Sequence, residues 1–226
     1  MKVNEIFYSL QGEGRLAGVP SVFVRLSGCP LRCKWCDTKY AWDESAGQDC
    51  GIEEIISNVG QWPCRHVVIT GGEPMIHADL PQLVRRIKNA DRHITIETAG
   101  IAFVADLACD LMSISPKLSN SVPTDAKLAA IHEDLRLDKA VLRKLIDSYE
   151  YQLKFVVDCE ADLTEIEQTI EKIGGADAGR VMLMPQAASR DQYLAKSRVV
   201  AELCKRSGFS LSERLQILLW NNTRAR

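Results

Sequence analysis

Three things are missing from this chain, and each narrows it. No apolar run reaches the roughly 18 residues of a membrane-spanning helix, and the opening "MKVNEIFYSL" lacks the apolar core of a signal peptide. The expected compartment is therefore the cytosol, where thiols stay reduced. Charge of one sign is missing too. Lysines and arginines number 28 against 30 aspartates and glutamates, with a pI near 6.1 and no electrostatic footprint for nucleic acid. The densest basic stretch, "VRRIKNADR", alternates with apolar positions and reads as a solvated helix face. The third absence is a second cysteine pair. Of eight cysteines only Cys29, Cys33 and Cys36 cluster, in "SGCPLRCKWCDT". Cys50, Cys64, Cys109, Cys159 and Cys204 stand singly, at gaps of 14, 45, 50 and 45, and read as small buried hydrophobes.

In a reducing compartment the clustered three point to a metal rather than disulfides. Structural zinc sites gather ligands two by two, so a zinc site completed by distant His66 or Cys64 is a poor match. A four-iron, four-sulfur cluster held by three thiolates leaves one iron open for another ligand. That gives the odd number a purpose.

The composition, 46% hydrophobic and 26% charged over 226 residues, suits one soluble domain. Strand patterns occur at 21–26, 66–70, 93–97, 111–114, 151–157 and 180–184. Helical periodicity separates several of them: Leu80, Leu83, Val84 and Ile87 share one face, as do Leu163, Ile166, Ile170 and Ile173. The stretch 124–149 reads as one or two further helices and 189–207 as another; "RLQILLW" is a candidate last strand. Strand then helix, about six times over, predicts an α/β fold with a largely parallel sheet, either a partial barrel or an open sheet. Functional groups are expected beyond the carboxyl ends of its strands. There "VVITGGEPM" places two glycines, which free the backbone for close approach by a ligand.

Cys29, Cys33 and Cys36 followed by "GGEP" after a second strand resemble the radical S-adenosylmethionine superfamily. The resemblance implies a partial (β/α)6 TIM-like barrel, a single domain over 1–226 with cluster loop 29–36 and a helical insertion near 124–149. It implies a 4Fe-4S cluster whose fourth iron is chelated by S-adenosylmethionine, with Trp35, Gly72 and Glu73 beside that cosubstrate. Reduction then cleaves the sulfonium and releases a 5′-deoxyadenosyl radical.

Further stretches narrow the substrate: "EIFYSLQGEG" at 5–14, Arg25, "CDT" with Thr38, "ETAG" at 97–100, "SPKLSNS" at 115–121, "YQLKFVV" and "MLMPQ". This ordered set is similar to the 7-carboxy-7-deazaguanine synthase family, which contracts 6-carboxytetrahydropterin with loss of ammonia in queuosine and 7-deazapurine biosynthesis. Arg25 is a planar fork suited to the substrate carboxylate. Leu10, Gln11, Gly12, Thr70 and Glu97 are expected around the pterin, and a Glu97 carboxylate complements its N–H edge. By the same resemblance Thr38 binds Mg²⁺, Ser115, Pro116 and Lys117 meet the ribose and carboxylate of S-adenosylmethionine, and Pro185 and Gln186 approach its adenine. His132 and Arg136 read as structural. The implied partners are a flavodoxin or ferredoxin as electron donor and a second copy in a homodimer, with 124–149 at the dimer surface; neither nucleic acid nor membrane is expected. The competing readings are a glycyl-radical enzyme activase and a non-catalytic iron-sulfur or zinc module.

Overall fold

The computed structural model describes residues 1–221 and 223–225. In its first half, β1 (Lys2–Leu10), β2 (Pro20–Leu26), β3 (Gln48–Asp49), α1 (Ile52–Val59), β4 (His66–Gly71), α2 (Leu80–Lys88) and β5 (His93–Thr98) follow in order. The second half holds β6 (Leu111–Ile114), α3 (Ala126–Leu135), α4 (Lys139–Ser148), β7 (Tyr151–Val157), α5 (Asp162–Ile173), β8 (Val181–Pro185), α6 (Arg190–Ser207), β9 (Ser210–Leu211) and α7 (Leu215–Trp220). All the strands join one open sheet, ordered β3-β1-β2-β4-β5-β6-β7-β8-β9. From β2 onward every neighbouring pair is parallel. β1 alone pairs antiparallel with both of its neighbours, β2 and β3.

Period-two alternation gives the sheet two unlike faces. Val22, Val24, Leu26, Val67, Ile69, Ile94, Ile96, Leu153, Phe155 and Val157 belong to one continuous apolar core with Leu80, Leu83, Val84 and Ile87 of α2. Each such side chain contributes roughly 2 kcal/mol when fully buried. The intervening positions point the other way. There stand Arg25, Thr70, Glu97, Ser113, Gln152 and Lys154, and that face carries the site.

The structure differs from the sequence expectations in three places. "RLQILLW" is the helix α7 rather than a strand: the Leu215 amide donates to Gly12 O at 2.9 Å, which docks a leucine-rich, helix-favouring segment end-on, and Asn221 closes it in the left-handed region. The crossover from β5 to β6 has no helix, because residues 99–110 are pinned as a loop by the Tyr149 hydroxyl, which donates to Val104 O and accepts from Leu107 N. β1 was expected only as a segment leading to the first strand; its polar and apolar residues are half-buried on both sides, which blurs the alternation. Among the single cysteines, Cys64 and Cys204 are buried, Cys50 and Cys109 half-buried, and Cys159 is exposed. No helix among the described residues is long and apolar enough to cross a membrane.

Candidate active site

The glycine pair ends β4 against the cysteine loop. A Cβ on Gly71, at φ +130°, would lie 2.1 Å from Leu26 O, and one on Gly72 would lie 2.0 Å from Gly28 O. Only glycine permits that approach, which the bonds Gly72 N to Leu26 O (2.9 Å) and Glu73 N to Gly28 O (2.8 Å) fix. The loop is also braced from α3. His132 Nδ1 accepts the Arg32 amide at 3.3 Å, and its Nε2 lies 2.9 Å from Ser121 Oγ. His132 therefore works as a strut.

Two adjoining cavities open at these strand ends, of about 210 and 170 Å³. They share Thr38, Thr70 and Gly71 and so adjoin one another. The cluster-side cavity is lined by Cys29, Cys33, Cys36, Trp35, Gly72, Ser115 and Lys117. Burial pushes the Cys29 thiol up to about 12 and the Cys33 thiol up to about 11, so these sulfurs ionise only against a cationic centre. The three thiols share one cavity wall, a donor set that suits iron. Trp35 Nε1 donates to Asn120 O at 3.0 Å, which fixes the ring, and Lys117 Nζ donates to Ser115 Oγ at 2.7 Å. Thr38 Oγ1 lies 3.5 Å from Cys36 Sγ and faces both cavities.

The neighbouring cavity is lined by Leu10, Gln11, Gly12, Arg25, Thr70 and Glu97. Arg25 opposes Glu5 on β1 and Thr70 on β4. Its Nε donates to Glu5 Oε1 at 2.7 Å, and its guanidinium lies over Phe7 and Tyr40. Among the described residues its Nη groups bond to nothing else. Burial alone would raise the Glu5 carboxyl, but hydrogen bonds from Arg224 and Arg25 hold it below the usual range. Thr223, Arg224 and Ala225 close this cavity from the chain's last turn.

Between the cavities runs a buried row of charges that the sequence reading did not single out. Arg214, 8% exposed, bonds Asp37 Oδ2 at 2.6 Å and Glu13 Oε1 at 3.3 Å. Lys154, 4% exposed, bonds Glu13 Oε2 at 2.9 Å and stands 3.7 Å from Glu97 Oε1. Gln216 Nε2 donates to Glu13 Oε1 at 2.8 Å, Gln11 Nε2 to Glu97 Oε1 at 3.1 Å and Thr70 Oγ1 to Glu97 Oε2 at 2.8 Å. Burial pushes Glu13 up, but the Lys154 and Arg214 charges outweigh it and bring the carboxyl down to about 2. A signal for Lys154 existed: in "YQLKFVV" alternation sets it on the face of Gln152, an interior polar face in a buried strand.

Most expected site residues thus meet in one place, and four do not line it. The Glu73 carboxylate is wholly buried and accepts from Met75 N, Thr98 Oγ1 and Ala99 N at 3.0, 2.7 and 2.7 Å, tying β4 to β5. Pro116 is buried beside the lining residues Ser115 and Lys117. Pro185 and Gln186 follow the lining residue Met184, and Gln186 Oε1 accepts from Lys196 Nζ at 2.8 Å. The distant zinc ligands do not reach the loop either. His66 opens β4, about 16 Å from the Gly71 end, and the Cys64 thiol bonds Pro20 O there.

An open parallel sheet that sets three thiols and a glycine-lined strand end around one cavity is the architecture of a radical S-adenosylmethionine enzyme, and the model of the Radical SAM superfamily matches residues 23–121. Relatives sharpen the class. The chain is 41% identical to the 7-carboxy-7-deazaguanine synthase of Halobacterium salinarum, over 98% of this chain and 91% of that protein. It is 41% identical to the synthase of Rhodopirellula baltica, over 98% and 87%. The crystal structure of QueE from Escherichia coli matches with a TM-score of 0.70 and 27% identity, covering 93% of this chain and 92% of that one. The chain belongs to the 7-carboxy-7-deazaguanine synthase family. With the superfamily come a 4Fe-4S cluster and S-adenosylmethionine.

Proposed function

We propose that this enzyme contracts the ring of 6-carboxy-5,6,7,8-tetrahydropterin to 7-carboxy-7-deazaguanine with loss of ammonia, as a single cytoplasmic domain over 1–226. One observation carries the reading: a fork whose Nη groups have no hydrogen-bond partner among the described residues, Arg25, shares a cavity with the acceptor Glu97 next to the three thiols. A substrate with a carboxylate at one end and an N–H edge at the other needs that pair. Arg25 grips the carboxylate through two parallel charge-assisted bonds. Glu97, held by Thr70 and Gln11, receives the amino and ring N–H groups, while Leu10 and Gly12 wall the flat ring.

Cys29, Cys33 and Cys36 hold the cluster. Trp35, Gly72 and the Ser115–Pro116–Lys117 turn seat S-adenosylmethionine; Glu73 acts through its backbone, and Pro185 and Gln186 bound the adenine end beyond Met184. When bound, the cluster supplies the single electron that makes the hydrogen-abstracting radical. Thr38 faces both cavities, and its hydroxyl oxygen would hold Mg²⁺, which would supply a cationic anchor for the substrate.

Electrons come from a flavodoxin or ferredoxin, a reading supported by Arg32 and Lys34 in the cluster loop and Lys39 just beyond it, which suit an acidic carrier. The chain pairs as a homodimer through α3, where Leu128, Ile131 and Leu135 are exposed. Ile131→Lys is expected to shift sedimentation from dimer to monomer. The test of the function is anaerobic turnover of reconstituted protein with dithionite, S-adenosylmethionine, Mg²⁺ and the pterin, read by mass spectrometry. Formation of 7-carboxy-7-deazaguanine supports it. Cleavage of S-adenosylmethionine with the pterin intact overturns it and favours an activase.

A further inference from the structure

Gln11 and Thr70 hold Glu97, the pterin's acceptor in the reading above, through neutral donors; the charge beside it comes from Lys154. Both Glu13 and Glu97 line both cavities, and Lys154 stands between them, 2.9 Å from Glu13 Oε2 and 3.7 Å from Glu97 Oε1. An unpaired ammonium at 4% exposure is strongly unfavourable, so these two carboxylates account for its presence. Among the described residues Lys154 is the one cation in salt-bridge reach of Glu97. Glu13 has a second, Arg214, which is shared with Asp37. Arg25, Tyr40 and Arg224 line the substrate cavity and Lys117 the other, while Glu5 is ion-paired with Arg25 and Arg224. Each Glu97 oxygen already accepts one bond, from Gln11 or Thr70, and keeps a second lone-pair direction.

We propose that Lys154 is a positioning residue for the substrate: by bridging Glu13 and Glu97 it keeps two like charges side by side, so that Glu97 presents two fixed acceptors to adjacent N–H groups of a pterin. This rests on the pterin reading above. Remove the ammonium, and the two half-buried carboxylates face each other with Arg214, which bonds Glu13 and is shared with Asp37, as the one cation left in the wall. One of them then takes up a proton near neutrality, as paired carboxylates do. A protonated Glu97 loses an acceptor, so ligand binding becomes sensitive to pH where it was not before.

The test is calorimetric titration of 6-carboxytetrahydropterin into the anaerobic holoenzyme without reductant, so that nothing turns over, at pH 6, 7 and 8. Wild type binds with one affinity across that range. Lys154→Met binds at least about tenfold more weakly at pH 6 and regains most of the loss by pH 8, with proton release on binding. Lys154→Arg restores wild-type behaviour. If Lys154→Met does not fold, the Lys154→Met, Glu13→Gln double variant removes the paired charge and is expected to bind independently of pH. Wild-type affinity in Lys154→Met at every pH overturns the proposal, as does a loss equal at all three pH values in both Lys154→Met and Lys154→Arg. If wild type binds no pterin, the substrate reading falls and the lysine's role with it; the other two outcomes leave that reading standing.

Discussion

The two cavities meet at one wall yet are built in opposite ways. At its cluster end the first cavity is built from short stretches, the cysteine loop at 29–36, Gly72 and the segment 115–117, while Lys154, Met184 and Arg214 also line it. Backbone bonds and one buried histidine stiffen that end, whereas its ion-paired charges, Glu13, Asp37, Glu97, Lys154 and Arg214, all belong to the shared wall. The substrate-side cavity draws on Arg25, Thr70, Glu97 and Arg224, and Glu5 holds Arg25 and Arg224 there in ion pairs, the second spanning 219 positions of sequence. A radical generator thus needs local geometry, whereas a reader of one particular ring needs charges assembled from the whole fold. That contrast sets how each side fails.

Cys33→Ala breaks the generator outright. Cluster iron, its visible absorbance and release of 5′-deoxyadenosine are all expected to fall to background. Arg25→Met breaks only the reader. Loss of a two-point charge-assisted contact of about 3 kcal/mol raises KM for the pterin roughly 100-fold, while S-adenosylmethionine cleavage persists and becomes uncoupled. Equal loss of both activities would place Arg25 outside the substrate cavity.

Arg214→Met tests the wall itself. Breaking a buried pair costs about 3 kcal/mol or more, read as a lower urea midpoint for unfolding. The Glu13 side of the same wall has a pH signature. Its carboxyl is depressed from 4.5 to about 2, so its stabilisation, about 3 kcal/mol, is fully present above pH 4.5 and is lost as pH falls towards 2. Acid unfolding of Glu13→Gln should be correspondingly less steep in that window than that of wild type. The smallest effect is expected from Thr38→Ala. Its turnover drops several-fold with 10 mM Mg²⁺ present and no longer responds to chelation, on the order of one lost oxygen ligand.

The same contrast explains what could be read in advance. The cysteine spacing, "GGEP" and "SPK" are local, so the chemistry of the generator was legible from residues a few positions apart. The parallel strands were legible for the same reason, each being an apolar run between helical periods. Arg25 and Glu97 could be named as candidates, but not their partners: nothing in "RLQILLW" says that Arg214 and Gln216 return to a residue near position 13, about 200 places upstream. α7 itself was misread as a strand because Leu-Gln-Ile-Leu-Leu suits either structure until Gly12 O fixes its first turn. The motif sets Glu73 beside the cosubstrate; its side chain ties β4 to β5, a use that no spacing reveals.

The claim underlying both halves is that the radical made in one cavity takes its hydrogen directly from a ligand in the other, where the two cavities adjoin at Thr38, Thr70 and Gly71. The direct measurement uses 6-carboxytetrahydropterin deuterated at the carbon bearing its carboxylate, with mass spectrometry of the 5′-deoxyadenosine released. One deuterium in 5′-deoxyadenosine, with 7-carboxy-7-deazaguanine formed alongside, is the expected result. Unlabelled 5′-deoxyadenosine from a mixture that still makes the product would contradict it.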